Sequence, residues 1–201
     1  MNRFRSAPQS LSLVTMGHLG PEPVAVKNLL ECLPYRVRLY QVDDCRGLLP
    51  ILRGDVPTDR FVILSCYGRN YRNPAPDDGP FAASDVMDAI ALPGKIILNL
   101  GCQTGTNVFA TAFLRGGVAA YIAPTGTVDV LTAVLFLFYL FCFLDQRLPL
   151  QAAVARACAK DATCAQFTLS LPVTEDPAAY DPYGAPLRGG ALFAGTHSGS
   201  R

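Results

Sequence analysis

Tryptophan is absent from this 201-residue sequence, and histidine and charge are scarce. The 17 lysines and arginines nearly balance the 16 aspartates and glutamates, which leaves a net charge of +1. That balance gives no reason to expect that the protein binds nucleic acid or an acidic partner. With only two histidines, His18 and His197, the chain has few side chains whose ordinary pKa lies near neutrality.

Several short motifs are absent as well. Gly17-x-x-Gly20 and Gly101-x-x-x-Gly105 do not match the dinucleotide fingerprint, and there is no phosphate-loop lysine. The seven cysteines are irregularly spaced and include no Cys-x-x-Cys pair, which argues against a zinc site or a disulfide framework. The apolar run Leu11–Met16 is short and interrupted for a signal peptide. We therefore expect a cytoplasmic protein with reduced thiols, no cofactor and no metal.

Half of the residues are hydrophobic, so a chain of this length is expected to fold as one domain with a sizeable core. From Pro172 onward the sequence is rich in proline, glycine and aspartate, so we expect a domain at 1–171 and a mobile tail at 172–201. Strand-like and helix-like segments alternate, which predicts a mostly parallel sheet with helices on both faces. Strands are predicted at residues 11–16, 36–42, 61–66, 96–100, 118–123 and 166–171, and helices at 23–33, 43 or 44 to 52, 85–91, 107–114, 127 or 129 to 144, and 150–162.

The segment Lys95–Gly117 has the pattern of a strand, a tight turn and a helix, with Cys102 at the carboxyl end of the strand. Open α/β sheets bind their ligands at that edge. Thr104 or Thr106 is the predicted N-cap of the helix, whose exposed N–H groups would favour the thiolate form of a nearby cysteine. Cys102 is therefore a candidate nucleophile. The alternative is a small residue that fills a tight strand end.

The segment Val130–Leu144 contains no charged residue in fifteen positions. A membrane-spanning helix needs about 20 apolar residues, and acidic residues bound this segment on both sides, so no membrane span is expected. A helix that is apolar all round must be buried all round, whereas a surface helix of an α/β domain buries one face. Another element should therefore cover Phe136, Tyr139, Phe143 or their neighbours: a second copy in a homodimer, a different protein, or the tail after Pro172.

Three local motifs resemble, in order and spacing, those of the caspase-like (clan CD) cysteine peptidases, above all their bacterial CHAT branch. They are Leu-Gly-Cys-Gln-Thr-Gly at 100–105, the Asp-Gly-Pro-Phe loop and Ala-Ser-Asp-Val segment within 78–86, and the helix, glycine turn and strand at 113–122. The resemblance covers about residues 11–171. It implies a three-layer α/β sandwich with a six-stranded, mainly parallel sheet in the order 2-1-3-4-5-6.

One position departs from that pattern. The family ends the preceding central strand with His-Gly, whose histidine is the general base, whereas this chain has Cys66-Tyr67-Gly68. Tyrosine, with an ordinary pKa near 10, is a poor base at neutral pH. His18 follows the first strand, which the implied order places beside the strand that ends at Tyr67. Two strand spacings, roughly 10 Å, separate it from Cys102, so His18 is a candidate substitute base; the alternative is a polar loop residue at the rim.

The missing histidine favours a protein that lacks standard peptidase activity and binds a protein partner. The alternative is a cysteine hydrolase for a peptide substrate, with Cys102 as nucleophile, an N–H near Gly68 or Cys102 as oxyanion donor, and His18 or an outside group as base. A third hypothesis is a small-molecule-binding protein that uses the rim loops. Cys66, beside Tyr67, is either a small core residue or, with Cys102 and His18, part of a redox or metal site.

Overall fold

A computed structural model of the protein describes residues 9–17, 22–66 and 87–172. These residues form a six-stranded sheet in the order β2-β1-β3-β4-β5-β6. Strands β1 to β5 are mutually parallel, and β6 runs antiparallel to β5. The predicted fold class and strand order are therefore confirmed. The strands are Gln9–Met16 (β1), Tyr35–Val42 (β2), Phe61–Ser65 (β3), Ile96–Asn99 (β4), Ala120–Pro124 (β5) and Phe167–Ser170 (β6).

Five α-helices lie in the described part of the chain, together with a short 3₁₀ turn at Cys164–Gln166. The predicted helix at 85–91 falls partly outside the described residues, and residues 87–89 form a turn. The predicted boundary between domain and tail also falls where the description ends, so it stays a prediction. The helices are Glu22–Glu31 (α1), Cys45–Leu52 (α2), Asn107–Arg115 (α3), Val130–Asp145 (α4) and Leu150–Cys158 (α5).

The sheet separates two hydrophobic cores. One core, which we call the α1/α4 core, lies under α1, α4 and α5; the other, the α2/α3 core, lies under α2 and α3. Successive residues of a strand point to opposite faces, so in β3 Phe61 and Ile63 enter the first core, whereas Val62 and Leu64 enter the second. Burial on both faces explains why β3 is continuously apolar, as expected for a central strand.

Helix α4 is the apolar segment singled out in the sequence, and much of it is core. Phe136 is fully buried and stacks on Phe167, with ring centroids 3.8 Å apart. Of the residues named as possible contacts for an outside element, Phe136 is instead covered by β6 within the domain. Tyr139 and Phe143 are partly buried, and the Lys160 ammonium lies 5.6 and 5.5 Å from their ring centroids. Every helix of the described residues is too short or too polar to cross a bilayer.

A stripe of apolar residues on the solvent side of α4 is partly or largely exposed in the described part of the chain. Leu131 is 66% exposed, and Leu135, Phe138 and Cys142 are partly exposed. Their spacing of four, three and four residues places them on one side of the helix. We call these four residues the α4 outer face.

Candidate functional site

The turn after β4 is closed by its own backbone and by a threonine hydroxyl. The Thr104 N–H donates to the carbonyl of Gly101 at 3.3 Å, and the Thr104 hydroxyl donates to the same oxygen at 2.6 Å. Gln103 has φ of 59°, the left-handed conformation that a tight turn of this shape needs at its third residue. Cys102 therefore occupies the second position of a rigid turn at the carboxyl edge of the sheet.

Gly105 explains why a glycine follows the threonine. Its N–H donates to the carbonyl of Pro124 at 2.8 Å, and a Cβ added there would lie 2.6 Å from the carbonyl oxygen of Ala123. Such a contact is too short for any side chain, so only glycine lets the turn pack against the end of β5. The Cys-Gln-Thr-Gly motif thus has a local physical origin.

A buried polar network supports the turn from the α2/α3 side. Asn99, at the end of β4, accepts the Gly101 N–H at 3.0 Å and donates to the Tyr121 hydroxyl at 3.1 Å. Tyr121 donates in turn to the carbonyl of Thr104 at 2.9 Å. Burial raises the pKa of Tyr121, which keeps this hydroxyl a donor. The network ties β4 and β5 to both ends of the turn.

The Cys102 thiol is half-buried on the other side of the sheet, where it packs against the α1/α4 core. Its Sγ donates to the carbonyl of Val128 at 3.2 Å, a contact that only the protonated thiol makes. The N-cap of α3 is Thr106, one of the two predicted caps, and it makes no side-chain hydrogen bond. Because α3 begins at Asn107, the turn separates Cys102 from the helix N-terminus.

Cys66 belongs to the opposite side. It is buried in the α2/α3 core, and its thiol points to Asn99 Oδ1 at 3.8 Å. Burial raises the pKa of Cys66 to about 12, so this thiol stays protonated and unreactive at neutral pH. The described residues contain no group of three potential ligands for a metal ion. These observations agree with Cys66 as a small core residue.

The other predicted site residues, His18, Tyr67 and Gly68, lie outside the described residues. The strands that lead to them are placed: β1 pairs with β3 through Thr15 and Ser65, and β3 pairs with β4 through Leu64 and Asn99. The expectation that the ends of β3 and β4 are neighbours is therefore confirmed. The roles assigned to these three residues stay predictions.

A carboxylate that sequence reasoning missed lies at the same edge. Glu22, the first residue of α1, accepts a hydrogen bond from the Ser65 hydroxyl at 2.8 Å. Burial raises the pKa of Glu22, and the bond from Ser65 lowers it by less. An acidic residue in the first turn of a helix is ordinary. The available signal was Ser65, a hydroxyl in the otherwise apolar segment Phe61–Cys66.

Comparison with known proteins finds similar structures but no match by sequence. No family model matches the sequence, and no curated protein matches it. Two crystal structures of the separase–securin complex of Saccharomyces cerevisiae, at 3.0 and 2.6 Å resolution, match with TM-scores of 0.54 and 0.50. Each match has 11% identity, and they cover 80% and 82% of this chain.

The likeness to separase extends over a small part of that protein, since the chain spans about 12% of the length of the matched chains. At 11% identity it shows the fold alone. The described residues therefore share the α/β fold of the matched part of separase.

Proposed function

We propose that this caspase-like protein lacks standard peptidase activity and acts by binding a protein, with the α4 outer face as its contact surface. Within the caspase-like fold, the motifs at residues 78–86 and 100–105 favour the CHAT branch. The observation that carries the proposal is the α4 outer face itself, an apolar stripe that is partly or largely exposed among the described residues, while the opposite side of the helix packs into the α1/α4 core.

Two features argue against a standard peptidase. Tyr67 follows the end of β3 where the family has its basic histidine, and tyrosine is a weak base at neutral pH. The thiol of Cys102 is engaged with the carbonyl of Val128 rather than with a base among the described residues. Both features agree with a fold that has kept the cysteine turn but not the standard base.

The energetics of the α4 outer face favour association. Burying one large apolar side chain contributes roughly 1.5–3 kcal/mol, and the stripe presents Leu131, Leu135 and Phe138 side by side. The flanks of the helix are already covered, since Lys160 lies over Tyr139 and Phe143. Adjoining exposed residues such as Val130, 53% exposed, enlarge the apolar area at the start of the helix. A continuous patch of this kind is typical of an interaction site.

A second copy of the chain is the partner that fits the stripe best. Two-fold contacts are the commonest way in which one chain covers an apolar surface, and they require a self-complementary patch. Antiparallel packing of two α4 helices would set Leu131 opposite Cys142 and Leu135 opposite Phe138. Each large residue would then face a smaller or complementary one, with no charge between them.

Light scattering on the full chain tests the proposal. We expect the mass of a dimer, and we expect Leu135→Glu to give a monomer because a charge in the centre of the patch cannot be buried unpaired. Val108→Glu is the matched control, since Val108 is 56% exposed on α3, on the other face of the sheet. A full-length monomer that aggregates only after truncation at Leu171 would make the tail an internal cover and overturn the proposal.

A cysteine hydrolase with Cys102 as nucleophile is the second candidate function. The specific observation in its favour is the Glu22 carboxylate, which is partly buried with a raised pKa on the Cys102 side of the sheet. An ester with a chromophoric leaving group tests this function directly, because acyl transfer to Cys102 would release the chromophore in a burst that Cys102→Ala abolishes.

A further inference from the structure

We infer that two copies of this chain pair with their α4 helices antiparallel, and that Lys160 of each copy lies against Asp161 of the other at the rim of the contact. The inference rests on the proposed dimer, and it adds the charged residues that fix the orientation of the second copy. Three features carry it: the flank of α4 on which both charges lie, their levels along the helix, and the lack of an ion pair with either of them among the described residues.

Both charges lie on the flank of α4 that contacts α5 and the turn after it, which we call the α5 flank. The Lys160 ammonium lies 5.6 Å from the ring centroid of Tyr139. Asp161 Oδ1 accepts a bond from the Thr163 hydroxyl at 2.6 Å, and that hydroxyl accepts one from the Thr132 hydroxyl at 3.2 Å. Thr132 and Tyr139 are about two helical turns apart, so they lie on the same flank, roughly a quarter of a turn from the centre of the α4 outer face.

The two charges lie at matching levels on either side of the centre of the stripe. In antiparallel packing the two-fold axis passes through the middle of the α4 outer face, midway between its second and third residues. Lys160 lies over the rings of Tyr139 and Phe143, roughly 7 Å beyond that middle at 1.5 Å per residue. Asp161 is tied to the level of Thr132, roughly 7 Å before it. The two-fold rotation exchanges these levels, so the partner's Asp161 arrives at the level of Lys160.

Only antiparallel packing brings the two charges together. When the helices are antiparallel, the two-fold axis is perpendicular to both of them, and the α5 flanks of the two copies lie on the same side of the contact. When the helices are parallel, the axis runs along them and the α5 flanks lie on opposite sides. Charge complementarity therefore selects the antiparallel orientation.

Other charges on the α5 flank follow the same division. Arg156, on α5, lies 6.0 Å from the ring centroid of Phe143 and adds to the cationic end of the flank. Asp129, the exposed N-cap of α4, accepts the Thr132 N–H and adds to the acidic end. A surface with a cationic end and an acidic end is self-complementary when a second copy is turned end for end, as a two-fold contact requires.

Both side chains are available for an ion pair. Lys160 and Asp161 are exposed, and neither belongs to the ion pairs found in the described part of the chain. Hydrogen bonds from the Thr163 hydroxyl and the Cys164 N–H lower the pKa of Asp161 to about 2, so this carboxylate is charged at neutral pH. Within the described residues its Oδ2 accepts one weak donor, the Cys164 thiol at 3.2 Å, which leaves room for an ammonium group.

The first experiment mixes two full-length variants, Lys160→Glu and Asp161→Asn labelled with nitrogen-15, and counts their dimers by native mass spectrometry. Asparagine keeps the oxygen that accepts the N–H groups of Thr163 and Cys164. In the Lys160→Glu homodimer two acids meet at both rim contacts, whereas the mixed dimer keeps one lysine–aspartate contact and has no repulsion. Relative to the geometric mean of the two homodimers, independent changes give about twofold mixed dimer, and we expect roughly tenfold.

The outcomes separate the two proposals. A dimeric unmodified chain whose variants mix at about the twofold ratio would overturn the charged contact and leave the proposed dimer standing. A monomeric unmodified chain would overturn both. Any damage that one substitution does to its own copy cancels in this ratio, because that copy occurs twice in one homodimer and once in the mixed dimer.

The second experiment measures the dissociation constant of the dimer by light scattering over a dilution series. Lys160→Glu should raise it on the order of tenfold, and by less at high salt, because exposed charges are screened. Adding Asp161→Asn to the same chain should recover most of the loss. Arg115→Glu, exposed on α3 across the sheet, is the matched control and should leave the constant within about twofold. A weakening that Asp161→Asn does not relieve would overturn the contact, because Lys160 would then act through the rings that it covers.

Discussion

The two sides of the sheet end differently at the carboxyl edge. On the α2/α3 side, Asn99, Tyr121 and Thr104 form a buried network. Asn99 donates a hydrogen bond to Tyr121, and Tyr121 donates one to the carbonyl of Thr104. On the α1/α4 side, Glu22 and the Cys102 thiol are only partly buried, and each is held by a single hydrogen bond among the described residues. One side supports the turn, and the other carries Glu22 and the candidate site residue Cys102.

The contrast shows that the rigid hydrogen-bond network and the candidate site lie on opposite faces of the same strand ends. Fully satisfied buried polar groups stabilise one geometry and take no further part in chemistry. The Glu22 carboxylate and the Cys102 thiol, by contrast, each have one hydrogen-bond partner among the described residues. The same strand ends carry both arrangements because adjacent residues of a strand point to opposite faces.

Breaking the buried network on the α2/α3 side should have the largest effect on stability. Asn99→Ala leaves the Gly101 N–H buried without a partner and removes a donor to Tyr121, so we expect a loss of about 3 kcal/mol in the free energy of unfolding. Urea denaturation measures it. Tyr121→Phe, which removes one hydroxyl and leaves Asn99 in place, should cost less than Asn99→Ala. Equal stabilities of Asn99→Ala and the unmodified protein would show that the network does not support the turn.

The next largest effect is expected in the alkylation rates of the cysteines on the two sides of the sheet. Iodoacetamide at neutral pH should modify Cys102 more than about 100-fold faster than Cys66, because burial raises the pKa of Cys66 to about 12 and leaves little thiolate. Mass spectrometry of peptides measures each rate. Cys32, which is exposed, is the internal reference for an ordinary thiol. If Cys102 reacts no faster than Cys32, it is not activated, which would count against the hydrolase.

A smaller effect is expected on the α1/α4 side, in the dependence of stability on pH. The pKa of Glu22 is raised in the folded state, so folded protein binds more protons than unfolded protein above pH 4.5, the ordinary value. Stability therefore falls as pH rises from 4.5 through the raised pKa. Glu22→Gln removes that loss, and its stability relative to the unmodified protein should increase with pH across this window. Thermal melts at several pH values measure the difference; a constant difference would contradict the raised pKa.

The smallest effect is expected from restoring a histidine. Tyr67→His places the family's base after β3, and weak hydrolysis of peptide esters should appear if the geometry of the cysteine turn is preserved. Assays of initial rates measure the gain. The double variant with Cys102→Ala should lose it again, and activity that survives this second change would show that the histidine acts without the turn.

Much of the fold was predictable because its signals are local. The continuous apolar run of β3 and the alternating β2 indicated a central and an edge strand, and both positions are confirmed. The turn at Cys102 was predictable from its glycines. The choice between the two predicted caps was not: Thr104 donates its hydroxyl back to Gly101, and Thr106 is the cap of α3.

By itself, the sequence determined the layers, the strand order through its family resemblance, and the position of Cys102 at the carboxyl edge. Tertiary structure alone decided which side chains meet there. Glu22 and Ser65 are 43 residues apart, and no spacing rule connects a helix N-terminus with a strand end that far along the chain. Tertiary packing likewise decided that Phe136 is core while Leu131 is 66% exposed, since both look alike in an apolar run. Periodicity reports which face a residue occupies, but its partner is set by the element that the chain folds against that face.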